Sequence, residues 1–180
     1  AGTSAERVAL HSLHQHNAPL VDNAAQKLLP EIGIIDAAAT EKALAGVAMS
    51  IESALKFLQT VTHISTGEAK VLEVAGNRRV QVIDGKVGKM RGSGSKDPEL
   101  RALPEGLIDP FLKTVSFWNG EKKLAALHYY ATHPMSYYGD GIVSHDFAGI
   151  AREKRTQEEG VPHIYFTGCG GNIGAGKYND

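Results

Sequence analysis

The sequence predicts a mixed α/β fold in which largely antiparallel sheets are layered with helices. Three observations carry that prediction. One long stretch has apolar residues at helical spacing, several β-rich segments flank tight-turn signals, and a second helical stretch sits between strands late in the chain. Strands outnumber helices, yet at least two helices punctuate them, so a regular doubly wound sheet is not expected.

Taken in order, residues 5–13 read Ala-Glu-Arg-Val-Ala-Leu-His-Ser-Leu, a short apolar run that predicts a mostly buried strand running into a histidine-rich loop. Pro19 closes the loop, because proline cannot donate to a ladder. Asp36 is a good N-cap for a helix in which Leu44, Val47, Ile51, Leu55 and Leu58 repeat at helical spacing in an alanine-rich background. Residues 62–74, rich in Val, Ile and Thr, predict strand, and the segments around Val80 and Val87 flank the tight-turn pair Asp84-Gly85. Residues 91–98 (Arg-Gly-Ser-Gly-Ser-Lys-Asp-Pro) are the low-complexity stretch and predict a flexible, exposed loop. Residues 111–118 and 124–130 lie on either side of Asn119-Gly120 and predict an antiparallel hairpin. A helix capped by Asp146 is predicted over 147–158, then a short buried strand at 163–166 that ends in glycines.

A length of 180 residues matches one typical domain, so a single globular unit over 1–180 is expected. Lys+Arg 19 against Asp+Glu 20 gives a formal charge of -1, and with a pI near 6.8 and no basic block this argues against a nucleic-acid partner. The single cysteine, Cys169, excludes an internal disulfide framework and a multi-cysteine zinc cage. Ser50, Glu52, Ser53 and Lys56 interrupt the best apolar helical stretch, so no transmembrane segment is predicted. The numbered chain starts at Ala1 with no leader pattern and stops at Asp180 in a polar, glycine-rich stretch, which fits an excised piece of something larger.

The eight histidines are the most informative count. In an extended backbone His14 and His16 point the same way, roughly 7 Å apart along the chain. They could face one metal site, with one as ligand and the other as acid, base or supporting donor, or be two solvated loop histidines. His133 sits at a strand end just before Pro134, a restricted backbone geometry that suits a metal ligand by limiting the entropy lost on binding. His128 lies inside a strand and reads as a core or interface residue. Asp146 reads most simply as an N-cap, with orientation of a site histidine as the other reading. Residues 171–177 match the Gly-x-x-x-x-Gly-Lys spacing of a phosphate loop, but Tyr178 stands where a Ser or Thr should hold magnesium.

The run Glu-Arg-Val-Ala-Leu-His-Ser-Leu-His-Gln-His-Asn-Ala-Pro resembles the strand and His-x-His loop of the neutral/alkaline, non-lysosomal ceramidase family. The resemblance continues in order through Gly76-Asn77-Arg78-Arg79, Pro104-Glu105-Gly106-Leu107-Ile108-Asp109-Pro110, Ala131-Thr132-His133-Pro134, Val143-Ser144-His145-Asp146-Phe147-Ala148-Gly149 and Phe166-Thr167-Gly168-Cys169-Gly170-Gly171-Asn172-Ile173. It implies a zinc-dependent amidase (N-acyl hydrolase) of lipid metabolism in which His14 and His133 bind zinc, while His16 and Arg78 match the family's other polar active-site residues. The family's nucleophilic serine falls at Gly174 and its preceding aspartate at Asn172, so a zinc-bound water would have to be the nucleophile. The family's remaining zinc ligands, a glutamate and a tyrosine, match positions beyond Asp180. Residues 1–180 alone are therefore expected to bind zinc weakly and to hydrolyse nothing. A secreted or periplasmic location is an expectation from the resemblance alone. The competing readings are a non-catalytic binding member of the same fold and, third, a nucleotide-binding loop at 171–177.

Overall fold

The computed structural model describes residues 2–33, 35–139 and 141–179. These group into two compact units, Ala1–His11 with Ala18–Thr60 and Ser12–Asn17 with Val61–Asp180.

The first unit holds a 3-10 turn at Ala5–Arg7, helix α1 (Asn23–Leu28), helix α2 (Ala37–Ala54) and a second 3-10 turn at Leu55–Phe57. The Asp22 carboxylate caps α1 by accepting from the Ala24 and Ala25 amides. Asp36 caps α2 through the Ala39 amide at 2.9 Å, at the position the sequence marks for it. The strand expected over 5–13 is not there. Past the 3-10 turn the backbone is irregular, and Val8 and Leu10 are 59% and 77% exposed. A strand needs a neighbour to satisfy its amides and carbonyls, and no described strand pairs with this segment.

In the second unit, β1 (His63–Lys70) is followed by β2 (Gly76–Asn77), the hairpin β3 (Arg79–Ile83) and β4 (Lys86–Met90), and a short helix α3 (Pro98–Ala102). The hairpin turn uses Asp84 at φ 50 and Gly85 at φ 73, the left-handed pair that a tight two-residue turn requires. Next come β5 (Phe111–Asn119), β6 (Lys122–Tyr130), helix α4 (Asp146–Glu159), β7 (His163–Thr167) and β8 (Ile173–Gly174). The main sheet has the order β1-β5-β6-β7. β1 and β6 both run antiparallel to β5, whereas β7 runs parallel to β6. A parallel neighbour needs a long crossover, and α4 supplies it. The fold is thus the expected mixed α/β class, with β1 paired across the sheet to β5 and not to the neighbouring β3 hairpin.

The core of this unit gathers Ala75, Tyr130, Ala148, Tyr165 and Ile173, with Leu13, Val71, Val74, Leu112 and Phe147 packed around it. Leu13, the residue just before the first histidine of the loop, is thereby anchored against the core. Residues 91–98 depart from expectation. Arg91 and Ser93 are each 2% exposed, and the Arg91 guanidinium donates to the carbonyls of Leu100, Leu103, Asn77 and Pro104. The segment is also closely approached: a Cβ on Gly94 would meet the Tyr138 hydroxyl at 2.5 Å, and from the C-terminal loop a Cβ on Gly176 would stand 2.8 Å from the Ser93 Cα.

Candidate metal centre

His14 and His16 leave the core on one side of an extended segment, and their neighbours Gln15 and Asn17 leave on the other. The Gln15 side chain donates to the Ser144 carbonyl at 2.6 Å, while Asn17 accepts from the Ser144 amide through its backbone and from the Gly139 amide through its side chain. The alternate residues thus pin the loop so that the two imidazoles face together. Their ring centroids are 4.7 Å apart.

His133 reaches the same point from the end of β6. Residues 131–135 are all buried, and the His133 ring lies 5.0 Å from that of His14 and 5.7 Å from that of His16. One ring nitrogen from each of the three histidines falls within 4.8 Å of the others. The Nδ1 of His133 lies 2.8 Å from the Gly170 carbonyl oxygen and 2.9 Å from that of Ile173. Carbonyl oxygens only accept, so Nδ1 carries the proton and Nε2 keeps its lone pair for an electrophile. His16 is held below the ordinary imidazole range, first by desolvation and then by His14, His133 and Arg78, with Asp146 opposing. A neutral ring is the form that binds metal or accepts a proton.

Arg78 follows β2. Its Nη2 donates to the Gly171 carbonyl at 2.5 Å and its backbone amide to the Asn172 carbonyl at 2.7 Å. Asn172 therefore meets Arg78 through its backbone. Arg79 is exposed and turned to solvent. His14, His133, Thr167, Gly168, Gly170 and Gly171 line a cleft of about 330 Å³ beside the cluster.

Asp146 does not cap α4 in the expected way. His145 stands at the N-cap without a side-chain bond, and Asp146, fully buried at φ 55, turns its carboxylate back to the loop after His133. It accepts from the Ser136 and Tyr137 amides at 2.9 and 3.0 Å and from the Phe147 amide at 2.7 Å. Its work is to tie α4 to the His133 loop. Residues 171–177 do not form a phosphate cradle: the Lys177 ammonium donates to the Arg101 and Leu103 carbonyls at 2.7 Å, and part of the loop is strand β8. His128 is engaged elsewhere, 2.7 Å from His163. Sequence reasoning passed over Gln15, Asn17 and Gly170. The alternation around His14 and His16 was the available signal for the first two; none pointed to the carbonyl of Gly170.

No protein-family model matches the chain, and no curated protein matches it. Among solved structures it is similar to the neutral ceramidase from Pseudomonas aeruginosa, with a TM-score of 0.56 and 18% identity over 77% of this chain and 21% of that one. A ceramidase complexed with C2 aligns with a TM-score of 0.44 and 17% identity, over 61% of this chain and 16% of that one. The chain thus spans about a fifth of the length of the ceramidase it matches best in these two, and its fold is ceramidase-like. No helix among the described residues is long and apolar enough to cross a membrane.

Proposed function

We propose that this chain is the histidine-bearing part of a ceramidase-like, zinc-dependent hydrolase domain that, in full length, cleaves an amide (N-acyl) or related bond in a small-molecule or lipid substrate. The observation that carries this reading is the convergence of His14, His16 and His133 beside an open cleft, within a ceramidase-like fold.

The donor set fits zinc. Zinc–nitrogen bonds of about 2.0–2.1 Å place tetrahedral nitrogens roughly 3.4 Å apart, so a cluster within 4.8 Å closes on an ion with small side-chain movements. His133 is supported as a ligand by its bonds to Gly170 and Ile173, which set the tautomer. His14 and His133 would hold the ion. When bound, zinc supplies Lewis acidity toward the substrate carbonyl and lowers the pKa of water. His16, kept neutral by its surroundings, takes a proton at a ring nitrogen and returns it to the leaving amine. Arg78 brings a permanent positive charge to the oxygen on which negative charge develops, and Asn172 positions Arg78 by accepting its amide.

Gly174 favours a second reading. With no side chain at the position where the resembled family carries its serine, the fold could be retained for binding alone. Zinc content and turnover of short- and long-chain N-acyl substrates, with and without chelator, separate the two when measured on residues 1–180 and on the full-length parent. Chelator-sensitive turnover by the parent alone supports the hydrolase reading. Turnover by residues 1–180 refutes the incompleteness of the site, and silence from both favours the binding reading.

A further inference from the structure

The buried Arg91 meets the Asn77-Arg78 segment twice, once through its side chain and once through its backbone. Its Nη2 donates to the Asn77 carbonyl at 3.3 Å, and its amide donates to the Arg78 carbonyl at 2.7 Å. The peptide groups before and after the Arg78 Cα are therefore both held by residue 91. In sequence the β3–β4 hairpin separates residues 78 and 91, so the amide bond closes that hairpin at its base. The guanidinium is braced from the other side, because Nη1 donates to the carbonyls of Leu100 and Leu103 at 2.9 and 3.1 Å, and Nη2 also to that of Pro104 at 3.3 Å. The amides of the same two peptides are engaged as well, Arg78 with the Asn172 carbonyl at 2.7 Å and Arg79 with the Asn77 Oδ1 at 2.9 Å. Gly76 admits this close approach: a Cβ there would stand 2.8 Å from the Arg91 Nη2.

We infer that Arg91 is a positioning residue for Arg78: from its buried site it fixes the peptide on each side of the Arg78 Cα and so sets where the Arg78 side chain starts. The far end of that side chain is set by Gly171, whose carbonyl accepts from Nη2 and which lines the cleft beside His14 and His133. Arg78 is thus held at both ends, at its root by Arg91 and at its tip by the glycine loop. The role calls for arginine. A rigid fork can reach carbonyls of β2, α3 and the exit from α3 at once, whereas one ammonium cannot stand at both Nη positions. The catalytic meaning of this arrangement rests on the reading above that Arg78 serves a hydrolytic site; the positioning itself does not.

The test is hydrogen exchange of the Arg78 and Arg91 backbone amides, read by NMR on residues 1–180. Arg91→Lys keeps the charge and loses the fork, and Gly76→Ala keeps Arg91 and pushes Nη2 away from the Asn77 carbonyl. In either variant both amides should exchange about fivefold to tenfold faster, the loss expected of one hydrogen bond, while the amides of β5 and β6 keep their protection. Gly76→Ala decides the matter should Arg91→Lys not fold. Unchanged protection of the Arg78 amide in a folded variant overturns the inference, and so does equal acceleration throughout β5 and β6, which would make Arg91 a general stabiliser. If the full-length parent hydrolyses N-acyl substrates, Arg91→Lys should lower kcat about 10–100-fold with KM unchanged, as a small misplacement of a site residue does. In an Arg78→Ala background the same substitution should change kcat little, and an undiminished fall there would show that Arg91 acts by another route and overturn the inference. If the parent hydrolyses nothing, the proposed function fails while the exchange result still decides the positioning.

Discussion

The Nδ1 of His133 lies 2.8 Å from the carbonyl oxygen of Gly170. That approach depends on residue 170 having no side chain, since a Cβ there would stand 2.7 Å from the Thr132 amide nitrogen and 2.9 Å from its Cα. The glycine loop can therefore press against the end of β6 and turn its carbonyls onto the histidine that follows.

Gly170→Ala should accordingly act twice. Forcing the loop from Thr132 should cost about 1–3 kcal/mol of stability, as overpacking does. Loss of the carbonyl behind His133 should weaken zinc binding about 10–100-fold, the usual effect of removing a support behind a metal ligand. Chemical denaturation and zinc titration read the two effects separately. Unchanged zinc affinity in the folded variant would count against the role given to Gly170.

Zinc should raise the melting temperature reversibly, with chelator removing the gain. At a hundred times its dissociation constant the added stability is about 2.7 kcal/mol. His14→Ala and His133→Ala should each remove the shift, whereas Cys169→Ser should keep it, because that exposed thiol lies outside the cluster. A full shift in the His14 and His133 double variant would place the zinc elsewhere.

His128 and His163 set a pH dependence. Burial is the first cause holding both below the ordinary value of 6.5, aided by Arg155 and Lys123 and, for His128, by His163. Thr114 and Glu159 also face the pair, at 2.9 Å from His128 and 3.3 Å from His163. Below pH 6.5 the unfolded chain binds protons that the folded chain resists, so stability is full above that value and is lost as pH falls toward the depressed values. The loss is at most about 1.4 kcal/mol per pH unit for each histidine. Urea denaturation between pH 7 and 5 should show this slope, and His163→Gln should reduce it. An unaltered slope would assign the acid sensitivity to other groups.

Asp146→Ala should destabilise the protein by roughly 2 kcal/mol or more, because it strands the amides of Ser136, Tyr137 and Phe147. Asp146→Asn separates charge from backbone, since asparagine also tolerates the left-handed φ found here. An intermediate loss is expected, as one amide then faces a donor or a weaker acceptor. If Asp146→Ala melts like the unmodified chain, the tie between α4 and the His133 loop is not what holds that loop.

Nucleotide should leave the melting temperature unchanged, because the Lys177 ammonium is already bound to the Arg101 and Leu103 carbonyls. Lys177→Met should instead lower stability by about 1–3 kcal/mol. A nucleotide-dependent rise in melting temperature would reinstate the phosphate-loop reading of residues 171–177.

Local signals were enough to place most elements. Asp36 with its helical stripe yields α2, Asp84-Gly85 yields the turn between β3 and β4, and Asn119-Gly120 yields the hairpin of β5 and β6, because a cap or a left-handed turn is written in a few adjacent residues. The histidine types and the proline after His133 likewise marked candidates. What adjacent residues cannot specify is who the distant neighbour is. Residues 5–13 have strand composition but no described partner strand, so their backbone stays irregular. Arg91 looks like the start of a loose loop until four carbonyls from α3, its exit and β2 close around its guanidinium. Asp146 has the chemistry of a cap, yet its carboxylate is claimed by amides ten and nine residues upstream. The meeting of His14, His16 and His133 belongs to the same class. It depends on the alternation at Gln15 and Asn17, on the sheet that carries β6 to its end, and on glycines that admit carbonyls to a buried imidazole. Each is a contact between segments far apart in the chain, settled by which backbone groups would otherwise be left unpaired.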